Sequence, residues 1–128
     1  MWLGQTDAAI ENLELAQRID PDLVPMDRFA LSLAYYLKGR YDSAVEQAEL
    51  NLRRSAGANF SRIVLAAAYA QQNRMADVQR VVSVVRRADP TFEPQEFGTK
   101  FLSSDNLERL RDGLSKAGLF AVRPPTSN

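Results

Sequence analysis

The chain repeats one pattern of residues at an interval of about 34 positions. The interval is 35 residues between Gly4 and Gly39, and 34 between Gly39 and Asn73. A period of this length, with helical segments inside it, is typical of stacked helix-turn-helix units. The two fullest copies are Tyr35, Gly39, Tyr41 and Ala44, and then Tyr69, Asn73, Met75 and Val78, and a shorter copy upstream is Gly4, Thr6 and Ala9.

Apolar residues recur at helical spacing in five segments of the repeated region. The predicted helices cover 7–19, 25–37, 41–53, 60–72 and 75–88. Asp20-Pro21 and Asp89-Pro90 end two of them, because the residue before a proline is pushed out of helical geometry. Gly39 and Asn73 take the turn positions, since glycine and asparagine best adopt a left-handed backbone. Thr6 is expected to cap the first helix.

The repeated pattern stops after Pro90. A short helix is predicted from Pro94 to Leu102, and a last helix after it. Asp105 and Glu108 have the spacing of a capping box at the start of that helix, and Gly118 ends it. Its apolar stripe is Leu107, Leu110, Leu114 and Ala117.

A chain of 128 residues suits one domain with a single core. The predicted organisation is a partial first unit that contributes only its second helix, two complete units, a C-terminal helical cap and a flexible tail. Their bounds are 1–22, 23–56, 57–90, 91–119 and 120–128.

Composition argues against catalysis by this chain alone. It contains no Cys and no His, which removes thiolate chemistry and the commonest metal ligand. It has no phosphate-binding glycine-rich loop, and the carboxylate pairs Glu46/Glu49 and Asp105/Glu108 are best interpreted as solvated helix surface and a helix cap. We therefore expect no catalytic residue, no metal and no cofactor.

Charge and hydropathy limit the class of partner. Sixteen basic and sixteen acidic residues give a net charge of zero, which does not favour nucleic acid or an anionic membrane surface. The paired arginines 53–54 and 86–87 fit helix-end stabilisation better than a nucleic-acid patch. The longest apolar run, 63–70, is far shorter than the roughly 20 residues that span a bilayer. No secretory signal opens the chain, so a cytoplasmic location is expected.

The repeats resemble the tetratricopeptide family, whose unit carries Trp-x-x-Leu-Gly-x-x-Tyr, then Ala-x-x-x-Phe, then Pro. Arg28 and Arg62 stand where the family has Trp. The resemblance implies an all-α fold, a tetratricopeptide-type helix-turn-helix solenoid with a C-terminal capping helix. The matching positions are Gly4, Ala9, Leu13, Ala16 and Pro21 in the first unit, Leu31, Ser32, Tyr35, Gly39, Tyr41 and Ala44 in the second, and Leu65, Ala66, Tyr69, Asn73, Val78, Val82, Val85 and Pro90 in the third.

A second resemblance lies in the C-terminal segment. The run from Leu107 to Leu119 is similar to the closing segment of bacterial multidomain proteins that join a class III adenylate or guanylate cyclase domain to a C-terminal tetratricopeptide region. It implies a cyclase domain upstream, none of whose catalytic residues belongs to this chain. The implied function is a non-catalytic protein-interaction module of a larger cyclase-type signalling protein.

In this family the first helix of each unit lines a concave groove. The corresponding lining here is apolar and aromatic, and it lacks the basic residues that clamp a peptide carboxylate. Such a groove suits an amphipathic helix of a partner protein or an element of the same chain, while the alternative is that these residues are core or lie beneath the C-terminal helix. The lining positions are Met26, Phe29, Leu33, Tyr36, Leu37, Phe60, Ile63, Ala67, Ala70 and Gln71.

The incomplete first unit leaves a helix face without an obvious partner. Its residues are Trp2, Ala9, Leu13 and Ala16. Two explanations remain open: the chain is a fragment of a longer array, or two copies cover the face by forming a homodimer. The alternative function is thus a self-assembling structural domain of a stand-alone repeat protein.

Overall fold

A computed structural model describes residues 6–21, 25–54, 59–93, 97–99 and 102–119. In these residues there are six helices and no strand, so the all-α prediction is confirmed for this part of the chain. None of the helices in these ranges is long and apolar enough to cross a membrane. They are α1 (Thr6–Ile19), α2 (Pro25–Leu37), α3 (Tyr41–Arg54), α4 (Asn59–Gln71), α5 (Met75–Ala88) and α6 (Ser104–Lys116).

The period of the sequence is also a period of the helix boundaries. α2 and α4 differ by 34 residues at both ends, and so do α3 and α5. α1 precedes α3 by 35 residues at both ends. The chain between 25 and 88 is therefore two helix pairs of equal length, preceded by one helix equivalent to the second member of a pair.

The turns inside the two pairs have the same backbone geometry. Gly39 has a φ of 77° and Asn73 a φ of 59°, so both predicted turn residues are in the left-handed region. Each helix ends with the same hydrogen bond, in which the N–H after the turn residue donates to a carbonyl five residues back. These bonds are Arg40 N to Tyr35 O and Arg74 N to Tyr69 O, both 2.9 Å.

Successive helices pack against one another, and α2 and α4 lie at the centre. α2 contacts α1, α3, α4 and α6, while α4 contacts α2, α3, α5 and α6. Because both helices have neighbours on several sides, 28–37 of α2 and 63–70 of α4 are entirely buried. Ala44 and Ala66 have no exposed surface, as expected for close helix–helix contacts.

Three local predictions are corrected by the structure. Ser103 caps α6, since its hydroxyl accepts from Asn106 N, and Asp105 lies in the first turn instead. α1 already includes Thr6, so Thr6 lies within the helix and not at the cap position before it. Of the helix predicted over 94–102, the structure describes 97–99 and Leu102: 97–99 form a turn, and the N–H of Leu102 donates to Gly98 O at 2.9 Å.

Candidate helix-binding groove

The surface that α2 and α4 present to α6, here called the inner groove, is the candidate functional site. α6 packs against α4 and α2, the first helices of the two pairs. A further helix stacked at the end of the array would instead pack on the last pair, α4 and α5. α6 therefore occupies the inner groove as an amphipathic helix, whose buried positions recur at helical spacing. These are Leu110, Gly113, Leu114 and, just past its end, Ala117.

Most of the predicted lining residues lie under cover within the chain. Gln71 is half-buried at the edge, and Met26 and Phe60 are 59% and 50% exposed. α6 contacts this lining at Tyr36, Leu37 and Ala67, so the C-terminal helix covers the groove at these positions. The buried lining residues are Phe29, Leu33, Tyr36, Leu37, Ile63, Ala67 and Ala70.

α6 approaches the groove most closely at Gly113. A Cβ atom built on Gly113 would lie 2.1 Å from the Tyr36 hydroxyl oxygen and 2.9 Å from the Ala67 Cβ. Neither distance is compatible with a side chain unless one helix moves. A glycine in a helix interior is disfavoured by about 1 kcal/mol relative to alanine, so Gly113 has a packing reason to be there. The sequence analysis did not single out this residue, although an interior helical glycine is the signal that could have found it.

A row of polar contacts closes the edge of the groove. The Tyr36 hydroxyl donates to Arg109 O at 2.6 Å and accepts from Gln71 Nε2 at 3.2 Å. Gln71 Nε2 also lies 2.9 Å from Asp112 Oδ2, and Lys116 Nζ donates to Gln71 Oε1 at 3.0 Å. These bonds satisfy the buried Tyr36 hydroxyl and fix its position.

The Arg109 side chain forms a second link between α6 and α2. Its Nη1 donates to Leu37 O at 2.9 Å. Leu37 is the last residue of α2, and its carbonyl has no partner within the helix. A cation is also favoured at this end of a helix by the dipole. Arg109 therefore ties the first half of α6 to the C-terminus of α2.

Burial raises the pKa of Tyr36 from 10.0 to about 12, and the nearby Tyr41 and Asp112 act in the same direction. The hydrogen bond from Gln71 opposes this increase. The same Gln71 amide is the main reason that the pKa of Asp112 is lowered, with Lys116 adding to it. The groove therefore favours the protonated, neutral form of the Tyr36 phenol.

We expect the stability of the chain to fall as pH rises from about 10 to 12. Below pH 10 the phenol is protonated in both states. Between these values the unfolded state releases its proton first, so unfolding gains up to about 1.4 kcal/mol per pH unit from this group. Urea midpoints measured across this range should fall less steeply for Tyr36→Phe. Equal slopes for the two chains would show that Tyr36 is not buried by α6.

The opposite end of the groove is aromatic and partly open. The ring of Phe60 lies 5.7 Å from that of Phe29 and 5.4 Å from that of Phe97, measured between centroids. Met26 and Phe60 are separated by 34 residues and occupy the same position in α2 and α4. Both are exposed apolar side chains, and the two residues together are here called the Met26–Phe60 ledge.

A cleft of about 560 Å³ opens between the turn after α2 and the first half of α6. Both basic residues in its wall are engaged, since Lys38 Nζ lies 3.0 Å from Asp7 Oδ1 and Arg109 bonds to Leu37 O. Its acidic residues include Asp105 and Glu108 on the exposed side of α6. Across the described ranges, no three Asp or Glu side chains are grouped so that they could hold a metal ion.

The residues predicted for self-association are largely covered within the chain. Ala9 is buried, and Leu13 and Ala16 are half-buried, with Leu13 packed against the core. Trp2 lies outside the described residues. The exposed large apolar side chains of α1 are Leu15 and Ile19.

Comparison of the chain with protein-family models, with curated proteins and with solved structures finds no match.

Proposed function

We propose that this chain is a non-catalytic protein-interaction module of tetratricopeptide type, whose ligand is an amphipathic helix. One observation carries the proposal. Two helix pairs of equal length, 34 residues apart in the sequence, form an apolar surface that already binds an amphipathic helix, α6. A surface that buries one such helix has the shape and chemistry to bind another.

The finer architecture of the proposal is a solenoid, with α2–α3 and α4–α5 as its complete units. Contacts between neighbouring units support it because they also repeat. The Tyr35 hydroxyl donates to Glu14 of α1, and the Tyr69 hydroxyl donates to Glu49 of α3. In this proposal 1–22 is the incomplete first unit and 91–119 the cap.

The wider context proposed is the C-terminal region of a larger bacterial cyclase-type signalling protein in the cytoplasm. Its support is the resemblance of the run from Leu107 to Leu119. Arg109, Leu110, Gly113 and Leu114 of this run are the residues that attach α6 to the groove. The run from Leu107 to Leu119 thus packs against the helix pairs that precede it, which explains why the two would occur together.

A screen of displayed amphipathic helices against the full chain tests the interaction function. The Met26–Phe60 ledge is the exposed part of the groove, so Phe60→Glu should weaken selected ligands by about tenfold or more. Met75→Glu is the matched control, because Met75 is a half-exposed apolar residue on α5, outside the groove. No saturable ligand, or ligands that lose as much affinity with Met75→Glu, would contradict the proposal.

A self-assembling structural domain is the second candidate. It is favoured by Leu15 and Ile19 of α1, which are 49% and 76% exposed. The two candidates differ in solution mass. A dimer at micromolar concentration that becomes a monomer with Ile19→Glu would support self-assembly, and a monomer throughout would exclude it.

A further inference from the structure

We propose that α6 is an internal ligand of the inner groove, and that the external partner is a helix with the same buried face: Leu, then Gly three positions later, Leu next to it and Ala three further on. In α6 this face is Leu110, Gly113, Leu114 and Ala117. The inference rests on the proposed function, since it names the partner of the same groove.

The requirement for a small residue follows from Tyr36. Its hydroxyl oxygen would lie 2.1 Å from a Cβ at position 113. The ring cannot easily move aside, because Tyr36 is buried and its hydroxyl bonds both Arg109 O and Gln71 Nε2. Ala67 restricts the same point from α4. A helix with any larger residue there cannot reach the depth at which its leucines are buried.

Three features of α6 favour its displacement from the groove. Its interior glycine disfavours the helix when it is not packed. Its side-chain bonds to Gln71 from Asp112 and Lys116 are exposed, where ion pairs and hydrogen bonds contribute little. Its larger contacts are confined to α4 and α2. Release of α6 breaks its bonds to Tyr36, to Leu37 O and to Arg86, and we expect it to leave the two helix pairs closed.

The Met26–Phe60 ledge offers an outside helix more contact than α6 uses. Both side chains are at least half exposed although they lie on the helices that form the groove. A partner that also covers them buries additional apolar surface. This gain is needed, because α6 is joined to α5 by the connection 89–103 and competes at an effective concentration of about millimolar or more.

The test uses the full chain and a fluorescently labelled peptide with the sequence of residues 103–119. Gly113→Val in the chain should expel α6 by its clash with Tyr36 and leave the groove free. The peptide should then bind this variant at least about tenfold more tightly than the parent chain, whose groove is occupied. Ser115→Val is the matched control, since Ser115 lies on the exposed side of α6. A peptide that itself carries Gly113→Val should bind none of the chains.

A second variant keeps the test decisive if Gly113→Val does not fold. Leu110→Ala weakens the packing of α6 without a clash, and it should raise peptide affinity in the same direction. Equal binding to parent and variants would overturn the inference, and so would equal binding of both peptides. Absence of peptide binding to folded variants would overturn it as well. In each case the proposed function is still supported if selected helix ligands lose affinity with Phe60→Glu.

Discussion

Replacement of Leu114 by alanine is expected to lower the free energy of unfolding by about 2–5 kcal/mol. Leu114 has no exposed surface and lies one residue after the closest contact of α6 with the groove. Its truncation leaves a cavity between α6 and the two helices beneath it. The loss of stability cannot exceed the free energy with which α6 docks onto the helix pairs. A larger loss would detach α6 instead.

Urea unfolding followed by circular dichroism measures this loss. Hydrogen exchange of residues 104–116 then shows whether α6 opens before the helix pairs. Ser115→Ala is the control on the exposed side of the same helix, with an expected change within about 0.5 kcal/mol. Similar losses for the two variants would mean that Leu114 does not face the groove.

Replacement of Ala66 by leucine is the second large change, with an expected loss of about 1–3 kcal/mol from overpacking. Ala66 has no exposed surface, and α4 is enclosed by α2, α3, α5 and α6. The three carbon atoms that leucine adds to alanine therefore find no free space around α4. Thermal or urea unfolding of the variant gives the size of the effect.

Ala76→Leu is the matched control for this overpacking, because Ala76 is exposed on α5. It should change stability by no more than about 0.5 kcal/mol. If Ala66→Leu unfolds like the parent chain, the assignment of Ala66 to a close helix–helix contact is wrong.

The helices of the repeats could be predicted well from the sequence, for a physical reason. Apolar spacing and turn residues are local signals, and both occur in each of the two complete helix pairs. The predicted bounds 25–37 and 75–88 agree with α2 and α5, and the other three differ by one residue at one or both ends. Asn73 could be assigned to a left-handed turn only because Gly39 marks the equivalent position.

The position of α6 could not be predicted in the same way. Its apolar stripe fits either a cap at the end of the repeats or a helix in the groove. The sequence therefore does not show whether α6 covers the groove or leaves it free for a partner. Their distinction depends on contacts between residues far apart in the chain, such as Tyr36 with Arg109. The packing of α6 on α4 and α2 and its close approach at Gly113 decide between them, and both are tertiary properties.

Two buried polar residues were also missed. Arg28 stands where the family that the repeats resemble has Trp, yet it is 1% exposed, and its Nη2 donates to Pro21 O at 3.0 Å. Asn51 is buried and donates to Ser61 Oγ at 2.7 Å and to Pro25 O at 3.1 Å. Residue type alone assigns such side chains to the surface, because their partners are backbone and hydroxyl groups that only the folded chain supplies.

In the proposed function, α6 occupies a groove that an outside helix also binds. The chain has no cysteine, so Gln71→Cys with Asp112→Cys places a single pair of thiols where α4 meets α6. The most direct measurement is the affinity of a selected helix ligand before and after a short thiol-to-thiol cross-linker joins this pair, with Asp112→Cys alone as control. The expected result is an intramolecular cross-link and loss of binding only in the double variant. Absence of that cross-link, or unchanged affinity once α6 is fixed in place, would contradict it.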